Sequence, residues 1–350
     1  MVHNNIGISC YPGLNISLQD NIEYIKLAAQ KGIKRCFLSA HIPEQNNDIY
    51  YELTVILKLL KDLDFQIVID ISKNYLNQIK PLLEHEMHLR LDFGFTKQEI
   101  VDLSHQYFIS INASTIDEAM LKELIILGLN LKQVDAFHNF YLKPFTGLTL
   151  DYYYNQNQMF KKYNLLISSF VGGQTYKRPP LKQSLVTLEE HRQRSLFEQI
   201  QELKLLGSDF IYFGDLKTST EELVVLVNQN NNFSPFQLII NSSHKLTNEE
   251  IRLLKSTHQL RVDNSGYMLR SDKLNLNYTD FNIVPNHNDM PIEAFDVTID
   301  NNEFSRYKGE LNIWLKHGAS SKRINVVGKL QNHYILKYLN QHRYSFILKK

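Results

Sequence analysis

A chain of 350 residues has room for two domains, or for one barrel with an addition. Its 38 basic and 37 acidic residues nearly cancel and no basic run reaches five, which excludes general nucleic-acid or membrane-surface binding but allows a local anion site. The 43% hydrophobic content is enough for a sizeable core. No apolar stretch approaches the roughly 18 residues that span a bilayer. The opening MVHNNIGISCYPG lacks the basic-then-apolar order of a secretory leader, so the expectation is a soluble, cytoplasmic protein. Cys10 and Cys36 lie inside apolar, strand-like runs and read as small core residues in a reducing compartment rather than as a disulfide.

In chain order, Ile6–Cys10 predicts a short buried strand, and Ser17 caps a helix that Gly32 closes. Arg35–Ala40 predicts a second strand, followed by HIPE and a helix to about Leu60. Gln66–Asp70 (QIVID) predicts the third, with Ser72 opening a helical segment. The fourth, His88–Asp92, begins HLRLDFGF: Leu89 and Leu91 share one face and Arg90 and Asp92 the other. Thr96 and Glu99 then form a capping box. Phe108–Asn112 predicts the fifth strand, with Thr115–Glu118 as the next box, and Lys132–Phe137 the sixth. Leu165–Phe170 predicts the seventh, leading to a box at Thr187–Glu190 and a helix to about Leu206. Asp209–Phe213 predicts the eighth, and a helix near Glu221–Asn228 closes the series. Eight strands alternating with helices over about 230 residues is the count of a (β/α)₈ TIM barrel. An open doubly wound sheet is disfavoured, because no G-x-G-x-x-G follows the first strand.

From about Phe233 the texture changes to alternating runs (Tyr267–Arg270, Phe295–Ile299, Glu310–Leu315, Ile324–Val327) separated by Asn, Asp and Gly turns, with one helix at Thr247–Lys255. The expected organisation is a barrel over 1–232 and a small, mostly antiparallel β domain over 233–350.

Acids stand at or just after four strand ends: Glu44, Asp70, Asp92 and Asp215. Barrels place catalytic groups there. Some of the four will be caps or structural ion pairs, yet four exceed what capping needs, and paired carboxylates are what glycosidic cleavage uses. The fifth strand ends on Asn112. The sixth leads into FHNFYLKPFTG, presenting His138, Asn139, Tyr141 and Lys143, a mixture of hydrogen-bonding and aromatic groups that suits a sugar; His138 alone reads equally as a hydrogen-bonded structural histidine. After the seventh comes GGQTYKRPPL. Gly172 and Gly173 would let backbone N–H groups converge, and Lys177 and Arg178 add charge where barrels often bind phosphate, though a solvated turn has the same composition. No strand ends in a lysine placed for a Schiff base, no H-x-H or H-E-x-x-H occurs, and Gly-rich nucleotide loops are missing, so no metal or cofactor is expected.

Taken together, GISCYPG, HIPE, HLRLDFGF, ISINAST, AFHNFY…TG, TLEEHR, IYFGD, TIDNNEFSRYKGEL and RINVVG resemble the bacterial 6-phospho-N-acetylmuramidase family over nearly the whole chain. The resemblance implies a (β/α)₈ barrel with a C-terminal cyclophilin-like β-barrel domain. It also implies exo-cleavage of the β-1,4 bond between 6-phosphorylated N-acetylmuramic acid and N-acetylglucosamine, in cytoplasmic peptidoglycan recycling.

For such a substrate the expected catalytic pair is Asp92 and Glu44. Glu44, in a loop that could shield it from water, would be the general acid, and Asp92, beside Arg90, would stay ionised and stabilise positive charge at the anomeric carbon. Asp70 and Asp215 are alternatives for either role, and the substrate's own 2-acetamido group could be the nucleophile. Lys177 and Arg178 are the phosphate candidates. Arg261 and Arg270 could bind the lactyl carboxylate, although packing or ion pairs explain them as well. Two rival readings are a non-catalytic phosphosugar-binding regulator on the same barrel, which Glu44→Gln would leave responsive to ligand, and a sugar-phosphate isomerase or lyase.

Overall fold

The computed structural model describes residues 5–14, 16–39, 49–231, 235–242, 245–263, 265–272, 280–286, 290–342 and 344–350. The chain divides into two compact units, Met1–Phe233 and Ser234–Lys350.

Eight parallel strands close the first unit into a barrel: β1 Ile6–Cys10, β2 Arg35–Ser39, β3 Gln66–Ile71, β4 His88–Leu91, β5 Phe108–Asn112, β6 Val134–Phe137, β7 Ile167–Val171 and β8 Phe210–Phe213. Helices alternate with them: α1 Leu18–Gln30, α2 Ile49–Asp62, α3 Lys73–Ile79, α4 Lys97–Ser104, α5 Glu118–Ile126, α6 Leu150–Lys162, α7 Leu196–Leu205 and α8 Thr220–Asn231. The TIM barrel expected from the alternating runs is therefore the observed fold. The caps explain several helix starts. Ser17 accepts from the Asp20 amide, and Thr96 and Glu99 make the reciprocal box at α4. Two predicted boxes are replaced. Asp117, not Thr115, caps α5, and α7 starts from Ser195 and Glu198, because Thr187 bonds Asn139 and Phe170 and Glu190 pairs with Arg194.

β1 and β8 join the ring through the pairs Ile6↔Ile211 and Gly7↔Tyr212. A Cβ at Gly7 would lie 2.6 Å from the Tyr212 ring, so only glycine admits that approach. At the same seam the Asn230 Oδ1 accepts from the amides of Asn5 (2.9 Å) and Ile6 (3.1 Å), fastening α8 to the start of β1.

Inside the ring the strand period stacks side chains in layers. Phe37, Val68, Phe137, Phe170 and Tyr212 form a buried middle layer, with Phe37 edge-on to Phe170 (centroids 4.9 Å apart) and Phe137 stacked on Phe170 (4.8 Å). Each such side chain contributes about 1.5–3 kcal/mol of burial. Two residues further along, the register Ser39↔Asp70↔Arg90 puts polar side chains one layer higher, at the carboxyl ends of the strands. The apolar layer is thus the floor of a polar mouth.

The second unit is a curled, barrel-like mixed sheet in the order β10–β12–β11–β13–β9–β14, from β9 Phe236–Asn241, β10 Met268–Arg270, β11 Asp296–Asp300, β12 Leu311–Trp314, β13 Ile324–Leu330 and β14 Phe346–Lys349, with helices α9 Asn248–Lys255 and α10 Leu336–His342. Four of its ladders are antiparallel and β9–β14 is parallel. A capping box of Thr247 and Glu250 opens α9, the helix expected over Thr247–Lys255. Strands β9 and β14 and helix α10 were not predicted.

Candidate active site

Asp70, Arg90 and Asp92 meet at the mouth. The Arg90 guanidinium pairs with Asp70 and lies 3.5 Å from the Asp92 carboxylate, and its other arm donates to Asn139 Oδ1. Its flat face rests 5.6 Å from the Phe137 centroid, on the aromatic floor. Burial alone would lower the Arg90 pKa, but Asp70 and then Asp92 hold it above its ordinary value, so the guanidinium is a fixed positive charge. Asp70 and Arg90 are 4% and 3% exposed, whereas the Asp92 side chain is 28% exposed. Of these two carboxylates, Asp92 is the one that a ligand can reach. It lines a cleft of about 110 Å³ with Phe93, Asn112, Thr115, Ile116 and Met120. Asn112, also expected at the site, turns its Oδ1 to the Ser114 amide (3.0 Å) and shapes the β5–α5 loop.

Asn139 stays half-exposed beside Arg90. Tyr141 is half-buried next to it, and its hydroxyl pKa is raised by burial against the pull of hydrogen bonds to Ser114 and Asn139. His138 is different. It is fully buried, its ring bonds Ser114 Oγ (3.1 Å) and Asn157 Oδ1 (2.8 Å), and burial lowers its pKa to about 4. The reading of His138 as a substrate contact is therefore corrected: no ring nitrogen faces the mouth, and the structural alternative holds.

Asp215 follows β8 and is fully buried. Its Oδ2 accepts from the amides of Gly173 (2.8 Å) and Leu185 (3.1 Å) and its Oδ1 from that of Arg178 (2.9 Å). Burial pushes its pKa up to about 6 against these three bonds. Asp215 thus clamps the β7–α7 loop, and both oxygens are occupied. The neighbouring amides are occupied too: Gly172 donates to Gln199 Oε1 (2.8 Å) and Gln174 to Glu222 Oε1 (2.7 Å). The expectation that Gly172 and Gly173 open their N–H groups to a phosphate is corrected, because protein oxygens already fill that cradle. What the clamp delivers is Arg178, 5% exposed, whose guanidinium lies 5.1 Å from the Tyr11 centroid and 5.5 Å from that of Phe140. Lys177 beside it is half-buried and within electrostatic reach of Asp215.

Several residues that build the site were not singled out from sequence. Glu189 accepts from the amides of Phe145 (2.8 Å) and Gly147 (2.7 Å), and Arg192 donates to the carbonyls of Tyr141 (2.8 Å), Lys143 (3.1 Å) and Ser184. Together they tie the β6–α6 loop to the β7–α7 loop. Thr187 donates to the Asn139 carbonyl (2.9 Å) and accepts from the Phe170 amide (2.9 Å). The run TLEEHR carries all three residues; it was marked by its similarity to a known family and by a capping-box spacing that does not announce these bonds.

Glu44 lies outside the described residues. In the second unit, Arg261 pairs with Asp263 (2.8 Å), and Arg270 pairs with buried Glu310 and reaches Asp263 at 3.9 Å, so the ion-pair alternative describes their surroundings. Among the described residues no three His, Cys, Asp or Glu side chains come together as a metal site, and no helix is long and apolar enough to cross a membrane.

The comparisons with known proteins agree with this architecture. An uncharacterized B. cereus protein of known structure is 28% identical, with 99% of each chain covered and a TM-score of 0.81. A conserved Enterococcus faecalis protein with an unknown function is 26% identical over 99% of this chain and 96% of its own, with a TM-score of 0.65. No curated protein sequence matches significantly. The N-terminal model of the 6-phospho-N-acetylmuramidases matches residues 6–228 and the C-terminal model residues 236–348. The chain belongs to the 6-phospho-N-acetylmuramidase family, a family of glycosidases.

Proposed function

We propose that this protein hydrolyses the β-1,4 bond of N-acetylmuramic acid 6-phosphate–N-acetylglucosamine in the cytoplasm, releasing the two sugars during peptidoglycan recycling. The observation that carries the reading is the full-length family match on a barrel whose mouth presents Asp92 beside a fixed Arg90. Glycosidic cleavage needs one carboxyl group to protonate the leaving oxygen and a second to meet the positive charge that develops at the anomeric carbon. Asp92 takes the second role, since it is the ligand-accessible carboxylate of the Asp70–Arg90–Asp92 trio. Glu44, which follows β2 in the sequence, takes the first. Asp70 keeps Arg90 charged and in place, and Asn139 and Tyr141 offer hydrogen bonds and a ring edge to the sugar.

The 6-phosphate requires a cation near the mouth. Arg178 supports this assignment because the loop clamp holds its guanidinium rigidly between Tyr11 and Phe140, which limits the ordering cost of binding. Lys177 adds longer-range attraction.

The test is incubation of the pure protein with N-acetylglucosaminyl-linked N-acetylmuramic acid 6-phosphate and with the same disaccharide lacking phosphate, followed by mass spectrometry. Release of both sugars from the phosphorylated form alone is the expected result. Cleavage of both forms removes the phosphate anchor from the assignment. Binding with no cleavage of either overturns the hydrolase and leaves a phosphosugar-binding regulator.

A further inference from the structure

A directed series of hydrogen bonds runs from the outer helices to the mouth. The Asn157 amide nitrogen, on α6, donates to the Leu206 carbonyl (3.0 Å) at the end of α7. A carbonyl can only accept, so the orientation of the Asn157 amide is fixed and its Oδ1 faces His138 Nε2 at 2.8 Å. Nε2 therefore carries the proton, and Nδ1 accepts from the Ser114 hydroxyl at 3.1 Å. With its proton so directed, Ser114 Oγ accepts from the Asn139 amide at 2.9 Å. Asn139 Oδ1 in turn receives the arm of Arg90, whose other nitrogen faces Asp70 and Asp92.

Each link restricts its members, and the Tyr141 hydroxyl adds a further bond to Ser114 and to Asn139. Asn139 is held at its N–H by Ser114 and at its carbonyl by Thr187, so its side chain meets Arg90 from a fixed backbone. Ser114 is held in turn, its amide by Asn112 (3.0 Å) and its carbonyl by the Tyr152 hydroxyl (3.2 Å). His138 and Asn157 are fully buried and Ser114 is 6% exposed, so water does not compete for these bonds. Two runs of sequence distant from each other, ISINAST and AFHNFY, supply the inner links.

We propose that Ser114 and His138 are positioning residues that fix Asn139 and, through it, hold the Arg90 guanidinium against Asp70 and Asp92. The assignment rests on the hydrolase reading above for its reaction, but its geometry stands independently. Without the Ser114 hydroxyl, the Asn139 amide and His138 Nδ1 each lose their partner. The Arg90 arm then loses its orientation, and the charge beside Asp92 shifts by a fraction of an ångström. A misplacement of that kind reduces turnover far more than affinity, because it acts on charge developed in the transition state.

The experiment compares wild type, Ser114→Ala and Ser114→Thr by kcat and KM on the phosphorylated disaccharide, with circular dichroism to count folded protein. Ser114→Ala is expected to lower kcat 10- to 100-fold with KM within threefold, and Ser114→Thr, which keeps the hydroxyl, to return kcat to within about fivefold of wild type. A Ser114→Ala kcat within twofold of wild type overturns the assignment. So does a folded Ser114→Thr as impaired as Ser114→Ala, because volume rather than the hydroxyl would then matter. A second readout needs no turnover: ring ¹⁵N shifts of His138 in the wild-type protein should show the Nε2–H tautomer and no titration between pH 5.5 and 8. An Nδ1–H tautomer, or titration in that range, overturns the chain directly. A wild type that cleaves nothing overturns the hydrolase reading instead, which keeps the two failures distinguishable.

Discussion

Replacing Asp215 by Asn separates a loop clamp from a catalytic acid. The substitution keeps size and shape but supplies one acceptor oxygen in place of two. In the better of its two orientations the Asn oxygen keeps the Gly173 and Leu185 amides, and its NH₂ group faces the Arg178 N–H. One buried donor then opposes another, a loss of about 1–3 kcal/mol. Against this, the carboxylate is fully buried and its pKa is pushed up to about 6 from 3.8. Removing that charge at pH 7 relieves about 3 kcal/mol, at about 1.4 kcal/mol per pH unit. The two effects nearly cancel for the whole molecule but not for the loop, which loses its tie at Arg178. The expected result is a melting temperature within a few degrees of wild type, trypsin cleavage after Lys177 accelerated about tenfold or more, and a raised KM on the phosphorylated disaccharide with kcat largely kept. Scanning calorimetry, timed proteolysis with mass mapping, and steady-state kinetics read the three quantities. If Asp215→Asn abolishes kcat while the loop stays as resistant to trypsin as in wild type, Asp215 acts on the substrate and the clamp argument is wrong.

Three further outcomes follow from the same geometry. Arg178→Met should raise KM for the phosphorylated disaccharide about 10- to 100-fold, the worth of a charge-assisted contact, and leave the melting temperature within a few degrees; an unchanged KM in steady-state kinetics places the phosphate elsewhere. Gly147→Ala should destabilise by about 1–3 kcal/mol, because its Cβ would lie 2.7 Å from both the backbone nitrogen and the carboxylate of Glu189; a wild-type midpoint in urea would show that the loop yields freely. His138 has its pKa depressed to about 4 by burial, so the stability it contributes is complete above pH 6.5 and is lost as pH falls through 4. Its ceiling is about 3 kcal/mol, with about 2 kcal/mol gone by pH 5. Urea titrations at pH 7 and pH 5 should show wild type losing that much more than His138→Gln, and equal losses would contradict the neutral buried ring.

The barrel was legible because each of its units repeats a local signal, an apolar run followed by a capped amphipathic helix. The strands missed in the second unit carry a weaker one. Phe236–Asn241 pairs its neighbours mainly through partners about 90 or more residues away, and Phe346–Lys349 runs parallel to it with no hairpin turn to announce it. At the mouth, reading strand ends placed Arg90 and Asp92 on one face, since side chains alternate with a period of two, and the register sets Asp70 beside Arg90; Asn139, two residues past the end of β6, reaches the same guanidinium. Loop function was not legible in this way. Thr187-x-x-Glu190 has the spacing of a capping box, yet Thr187 bonds Asn139 and Phe170, and the neighbouring Glu189 serves amides 42 and 44 residues away. Asp215 likewise had the position of a catalytic acid, and its amide partners, 30 to 42 residues earlier, carry no local signature.

The seam at Asn230 bears on how the first unit can be rewired. One side-chain oxygen holds the amides of Asn5 and Ile6, so the polypeptide leaves the ring beside the point where it entered. A short peptide could join these two places without strain, and new termini could be cut on the face remote from the mouth, for example between α4 and β5. Such a circular permutant would keep every strand neighbour while changing the order of synthesis. Topologically the ring has no privileged first strand, and the translated starting point is an accident of the gene rather than a requirement of the architecture.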